Sequence, residues 1–180
     1  MLNIDNALLL IIDVQEKLLP VIFEKEKLIS NIQKLIKGCT LMGVPVIITE
    51  QNPSGLGTTV KELQDSVPSV RPVTKFGFSC CSEPGFNEEL SAAARRQILI
   101  CGIESHICVY QTSMDLLSSG NEVHIVTDCV SSRTPENKEL SMRRLVSEVV
   151  KLTGMEMALF ELLRSSKSHH FKTISALIKN

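Results

Sequence analysis

Cys108 is the residue of this chain best able to do covalent chemistry. It lies in Ile98-Leu99-Ile100-Cys101-Gly102-Ile103-Glu104-Ser105-His106-Ile107-Cys108-Val109. That stretch reads as a buried strand, a sharp turn and the first turn of a helix. A thiol there meets the positive end of a helix dipole and unpaired backbone N–H groups. Both favour thiolate over thiol, so the placement predicts a nucleophile more acidic than a free cysteine. A lone buried cysteine is more often inert packing, so its partners decide the reading. Asp13 closes the apolar run Ala7–Ile12, where partial loss of water makes a carboxylate a proton acceptor. Taken alone, the same position suits an N-cap for the following segment somewhat better. Lys75 stands in Val73-Thr74-Lys75-Phe76-Gly77-Phe78-Ser79. Held among aromatics, it can fix a carboxylate and steady a thiolate or an oxyanion. The commoner role of a single lysine is to snorkel at the surface. Together the three supply a nucleophile, a base and a cation, which suffices for acyl transfer.

These residues work together only if the fold brings them together. Ala7–Ile12 is a short continuous apolar run, fit for a strand covered on both faces. Leu28, Ile32, Leu35, Ile36 and Cys39 follow at helical spacing, and Gly43 and Pro45 stop that helix. Val44–Thr49 is a second strand-like run, and Asn52–Gly57 is a loop by turn chemistry. Residues 70–76 predict a third strand and 86–96 a helix. Gln97–Ile103 is a fourth strand, followed by a helix from Ser105 to Ser119. Glu122–Thr127 is a fifth strand, 136–150 an amphipathic helix, and a short sixth strand falls near Thr153. Glu156 to Lys179 reads as two helical pieces broken around Ser165–Ser168. Alternating strands and helices imply right-handed crossovers. The fold class is α/β, three-layer α/β/α, with a mostly parallel, doubly wound, Rossmann-like sheet. Residues 1–180 are expected to form one domain. Function in such sheets collects outside the carboxyl ends of the strands. Asp13, Lys75 and Cys108 all fall at those ends.

Composition narrows the partners. The chain has 180 residues, 43% hydrophobic, with 19 basic and 20 acidic residues and a formal charge of −1. This is a folded composition with no basic field for nucleic acid or anionic lipid. No apolar run approaches the length of a membrane span. The N-terminus lacks a basic region, and its apolar run is too short for a signal peptide. A cytoplasmic protein is expected, with its six cysteines as reduced thiols. Cys39, Cys101 and Cys129 read as core. Adjacent Cys80 and Cys81 are poorly placed for a disulfide, and no C-x-x-C pair suggests structural zinc. His106 and His124 read as helix-start and strand-surface residues, and His169-His170 as a polar loop pair.

Leu10-Ile11-Ile12-Asp13-Val14-Gln15, Lys75 before Ser79, Gly102-Ile103-Glu104-Ser105-His106-Ile107-Cys108-Val109 and Val126-Thr127-Asp128-Cys129-Val130-Ser131-Ser132-Arg133 carry a joint resemblance. The chain resembles the isochorismatase-like cysteine hydrolases from about residue 7 onward. Thr49–Gly57 and Phe171-Lys172 are most similar to its isochorismatase domain-containing branch. The resemblance implies a catalytic triad of Asp13, Lys75 and Cys108. It also implies a cis peptide before Glu104 and an oxyanion hole formed by the Glu104 and Cys108 N–H groups. Asp128 fits a structural position near the end of strand five, read as capping or turn chemistry. Nicotinamidases of the family hold a metal through an Asp-x-His pattern and two more histidines. This chain has Glu50-Gln51-Asn52 there and no histidine before His106, so neither metal nor cofactor is expected.

The expected activity is cleavage of an amide-type C–N bond in a small molecule through a thioester. The pocket wall is assigned to Leu19, Phe23, Gln51, Phe76 and Phe78. One alternative is a vinyl-ether hydrolase with Asp13 as general acid and Cys108 a bystander. Another is a non-enzymatic interaction protein. A homo-oligomer is expected, partly from the resemblance and partly from residues 155–163. There Met155, Leu159, Leu162 and Leu163 form a stripe that Met157, Ala158 and Phe160 widen beyond one face.

Overall fold

The computed structural model describes residues 1–179. Six strands form one parallel sheet: β1 (Ala7–Ile12), β2 (Val46–Gln51), β3 (Val73–Lys75), β4 (Gln97–Gly102), β5 (Glu122–Val130) and β6 (Lys151–Thr153). Their order is β3-β2-β1-β4-β5-β6, and every pairing is parallel. The principal helices are α1 (Lys25–Leu41), α4 (Pro84–Ala93), α5 (Tyr110–Ser118), α6 (Pro135–Ser147), α7 (Met155–Leu163) and α8 (Phe171–Lys179). Two single turns, α2 (Pro53–Leu56) and α3 (Lys61–Gln64), lie between β2 and β3.

The sheet separates two apolar layers. Leu9, Ile11, Leu99 and Cys101 pack on one side with α1 and α7 residues such as Ile32, Leu35 and Leu159. Leu8, Leu10, Ile12, Ile98 and Ile100 pack on the other with Phe86, Leu116 and Leu145 of α4, α5 and α6. This two-sided cover explains why β1 and β4 read as unbroken apolar runs. The chain winds from β1 outward to β3, then crosses to β4 on the other flank of β1. The reversal leaves a crevice between the carboxyl ends of β1 and β4, the place where ligands meet open parallel sheets.

Several boundaries differ from the sequence expectation, each for a local reason. The third strand pairs only over Val73–Lys75. The fourth helix starts earlier because Pro84 suits a first turn, and it ends at Ala93 because Ala94 turns left-handed at φ 52°. The fifth strand runs on to Val130, past a register shift against β4 between Ile100 and Gly102. The helix expected from Ser105 begins as a wide π-turn over Ser105–Val109 before α5. The loop expected at Asn52–Gly57 contains α2, started by Pro53. Asp128 does cap: its Oδ1 accepts from the Met155 N–H at the start of α7, at 2.8 Å.

The broad apolar girth of α7 has cover within the chain. Ala158, Leu159 and Leu162 are buried, and Phe160 meets Phe171 of α8 edge-to-face with centroids 6.4 Å apart. The second side, expected to need another subunit, is therefore met in part by α8, leaving Met157 exposed. His124 is also corrected. It is buried and bonds Glu122 Oε1 at 2.6 Å, since β5 is an interior strand.

Candidate functional site

β1 ends in Ile12, and the next residue, Asp13, takes a left-handed turn at φ 53°. Aspartate tolerates that region because its side chain is short and polar. The turn leaves the carboxylate at the crevice, fully buried. Lys75 sits level with Gln51 in the β2–β3 register, two strands from β1. Two strand spacings amount to about 9–10 Å, a gap that only a long side chain can bridge. Lys75 does so, fully buried, with Nζ 2.7 Å from Asp13 Oδ2. The other carboxylate oxygen, Oδ1, accepts from the Thr49 hydroxyl at 2.9 Å. Nζ also donates to Gln51 Oε1 at 2.8 Å and to the carbonyls of Gly77 and Phe78 at 3.1 Å each. Burial alone would drive this ammonium toward its neutral form. The Asp13 carboxylate, the first of the opposing charges, outweighs burial and holds Lys75 above the ordinary lysine value.

Across the crevice, Gly102 closes β4 with φ 118°. A side chain there would put its Cβ 2.1 Å from the Ile12 carbonyl oxygen, so only glycine lets β4 pass this close to β1. The Ile103–Glu104 bond that follows is cis. Ile103 N–H returns to Ile12 O at 2.9 Å, and the π-turn then carries Cys108. Glu104 Oε2 accepts from the backbone N–H and the Nε of Arg133, both at 3.1 Å. The Glu104 N–H has no partner among the described residues. Ser105 Oγ and Ser132 Oγ are 2.6 Å apart, and His106 Nδ1 lies 2.9 Å from Ser132 Oγ. These contacts tie the π-turn to the end of β5.

Cys108 is 7% exposed. Its thiol is not acidified, contrary to the sequence expectation. Burial first, then the Asp13 carboxylate, push it up to about 12, against the opposing pull of Lys75. Cys108 lies in the π-turn that precedes α5, beside a carboxylate that prefers the sulfur protonated. The resting group is a thiol. Cys80 is a second thiol in the same buried cluster, pushed up to about 12 by burial and then by Asp13.

The residues assigned to the pocket wall are distributed differently. Gln51 is spent on Lys75, and its Nε2 donates to Phe76 O at 2.7 Å. Gln15 locks it in place. Gln15 Oε1 accepts the Gln51 N–H at 2.7 Å, and Gln15 Nε2 donates to Gln51 O at 3.0 Å and Gly57 O at 2.6 Å. Phe76 and Phe78 turn their rings outward, 68% and 54% exposed, and contribute carbonyls instead. Leu19 lines a groove with Lys25, Glu26, Ile29 and Glu62. Phe23 lines a cavity of about 130 Å³ with Asp128, Ser131 and Lys138. Neither cavity is walled by Asp13, Lys75 or Cys108. Sequence reasoning passed over Thr49, whose hydroxyl is the second hand on Asp13. The signal was a polar residue ending an otherwise apolar strand, one residue before the acidic Glu50.

Metal ligation at the end of β2 does not fit these side chains. Glu50 Oε1 accepts the Thr59 N–H at 2.6 Å and the Thr59 hydroxyl at 2.8 Å, and Gln51 serves Lys75. No group of three or more His, Cys, Asp or Glu among the described residues could hold a metal.

A doubly wound sheet with a buried carboxylate, ammonium and thiol at its carboxyl edge places the chain among Rossmann-like α/β/α proteins with a crevice site. The isochorismatase domain model matches residues 7–157, and the chain belongs to that family of hydrolases. Isochorismatase domain-containing protein 2 of Danio rerio is 38% identical over 177 residues, covering 98% of this chain and 89% of that protein. The secreted isochorismatase effector Isc1 of Phytophthora sojae (strain P6497) is 35% identical over 179 residues, covering 97% and 85%. The solved structure of MAR1 ribonuclease from Caenorhabditis elegans superposes with a TM-score of 0.94 at 32% identity, covering 99% of this chain and 92% of that one.

Proposed function

We propose that this protein is a metal-independent cysteine hydrolase that cleaves an amide-type C–N bond of a small molecule through a thioester. The observation that carries the reading is the fully buried Asp13–Lys75 pair at 2.7 Å, whose carboxylate also acts on the Cys108 thiol. A buried ion pair is a poor stabiliser of a fold, whereas beside a thiol it is a proton acceptor held in place. Asp13 takes the Cys108 proton as the sulfur attacks the carbonyl carbon. The Glu104 and Cys108 N–H groups hold the oxyanion, a service worth about 3–4 kcal/mol per donor. Collapse breaks the C–N bond, and Asp13 returns the proton to the leaving amine. Asp13 then takes a proton from water as the hydroxyl adds to the thioester, and the departing sulfur recovers that proton. Lys75 keeps Asp13 in place throughout. The single sheet and its two apolar layers act as one domain.

An amide panel followed by acid quench and intact-mass analysis tests this. An acyl adduct should appear on Cys108, vanish in Cys108→Ala, and form at least about 100-fold more slowly in Asp13→Asn. Full turnover by Cys108→Ala would favour vinyl-ether hydrolysis with Asp13 as general acid. The nematode relative described as a ribonuclease raises RNA as a second substrate. A formal charge of −1 and a buried carboxylate at the thiol favour a small uncharged substrate over a polyanion.

The reading places the protein in the cytoplasm, where six free cysteines stay reduced. No helix among the described residues is long and apolar enough to cross a membrane. It also includes a homo-oligomer, since Val146, Val149, Leu152 and Met157 are exposed apolar residues around β6 and its flanking helices. Light scattering should give a multiple of 19.9 kDa, and a clean monomer would refute it.

A further inference from the structure

Thr49 is fully buried near the end of β2, level with Ile12 of β1. Its oxygen lies 3.7 Å from Cys80 Sγ, which donates to it, while its own hydrogen goes to Asp13 Oδ1 at 2.9 Å. A hydroxyl has one hydrogen. With the Cys80 thiol directed into the oxygen, that hydrogen is left for Asp13. Lys75 holds the second carboxylate oxygen. Asp13 thus meets Cys108 with the Thr49 hydroxyl bonded to one oxygen and the Lys75 ammonium charge against the other. A carboxylate stabilised in its charged form accepts a further proton less readily.

We propose that Thr49 is a positioning residue that restrains Asp13 as a proton acceptor and so keeps the Cys108 proton on sulfur until a substrate arrives. This rests on the assignment of Asp13 as the acceptor for Cys108. The ionisable groups acting on the Cys108 thiol are Asp13, Lys75 and Cys80. Moving the proton from sulfur to Asp13 makes one thiolate and one carboxylic acid and leaves the net charge unchanged. The thiolate so formed is therefore independent of pH between the two titrations of the pair. It gives a flat level of reactivity, and the Thr49 hydrogen bond lowers that level. A hydrogen bond to a charged group corresponds to an effect of at least about tenfold. The restraint also shields the thiol from stray electrophiles and oxidants, which attack thiolates.

The test is the rate of iodoacetamide labelling at Cys108, followed by peptide mapping from pH 6 to 8. Wild type should show a low flat rate. Thr49→Val, which keeps the shape and loses the hydroxyl, should raise the flat rate about tenfold. Thr49→Ser should match wild type, and Asp13→Asn should abolish the flat rate. If Thr49→Val fails to fold, Thr49→Ala carries the same expectation. An unchanged or slower rate in Thr49→Val overturns the proposal. So does a rate that climbs tenfold per pH unit, or one that survives Asp13→Asn. The assay needs no hydrolysis. Absence of any acyl-enzyme, alongside a faster Thr49→Val, would sink the amidase reading and still support this one.

Discussion

Raising the pH from 8 to 10 is expected to cost the fold about 7 kcal/mol, enough to unfold most proteins of ordinary stability. Five buried thiols produce the effect: Cys39, Cys80, Cys101, Cys108 and Cys129. Burial is the first cause in each, and it pushes Cys39, Cys80 and Cys108 up to about 12 and Cys101 and Cys129 well above the ordinary value of 9.0. In the unfolded chain the same thiols ionise around pH 9. Above that pH the unfolded state binds fewer protons than the native state, so stability falls as pH rises. Each thiol contributes a slope approaching 1.4 kcal/mol per pH unit. Urea midpoints under reducing conditions at pH 7, 8, 9 and 10 measure it. Cys39→Ala should lose stability at neutral pH yet show a slope shallower by one thiol's share. A midpoint that holds constant to pH 10 would contradict the burial of these groups.

Lys75→Met should destabilise the protein by about 3–5 kcal/mol, because it strands the Asp13 carboxylate in a dry site. Thr49 would be its one remaining strong donor, and the oxygens that Lys75 bonded on Gln51, Gly77 and Phe78 would lose their partner too. The double variant Lys75→Met/Asp13→Asn removes both charges and should recover at least about 1 kcal/mol relative to the sum of the singles. Chemical denaturation of the four proteins at pH 7 gives the coupling directly. Strict additivity would mean that the two side chains do not act as a pair.

Much of this architecture was legible because its signals are local. Ala7–Ile12 and Gln97–Ile103 are apolar without alternation, and that pattern belongs to strands buried on both faces. Asp13 interrupts one such run, and Cys108 follows the turn that ends the other. The doubly wound order then brings both to one edge without further information. Lys75 was readable as a lysine close to aromatics, although those rings turn outward and the carbonyls of Gly77 and Phe78 hold it. What escaped depends on reach and rotamer. Gln51 reads as a substrate residue because it follows a strand, yet the β2–β3 register sets it level with Lys75, and Gln15 fixes its backbone. The Thr49 hydroxyl meets Asp13 only because β2 lies beside β1. The proton stays on Cys108, against the sequence expectation, for a related reason. A helix start is a sequence feature, whereas a carboxylate 95 positions earlier in the chain acts only through space.

The strand order also sets a timetable for synthesis. β1 is central, and one of its two neighbours, β4, begins roughly 90 residues later, where Gln97 pairs with Ala7. At about 5–20 residues per second, a nascent chain spends several seconds with β1, β2 and β3 emerging and one long edge of β1 unpaired. That edge belongs to Ala-Leu-Leu-Leu-Ile-Ile, six residues without a charge or a proline, the composition that invites pairing with foreign strands. Asp13 is the first charge beyond it. Truncated chains ending before residue 97 should therefore aggregate, and the full chain should be most open to foreign strands until β4 has left the ribosome.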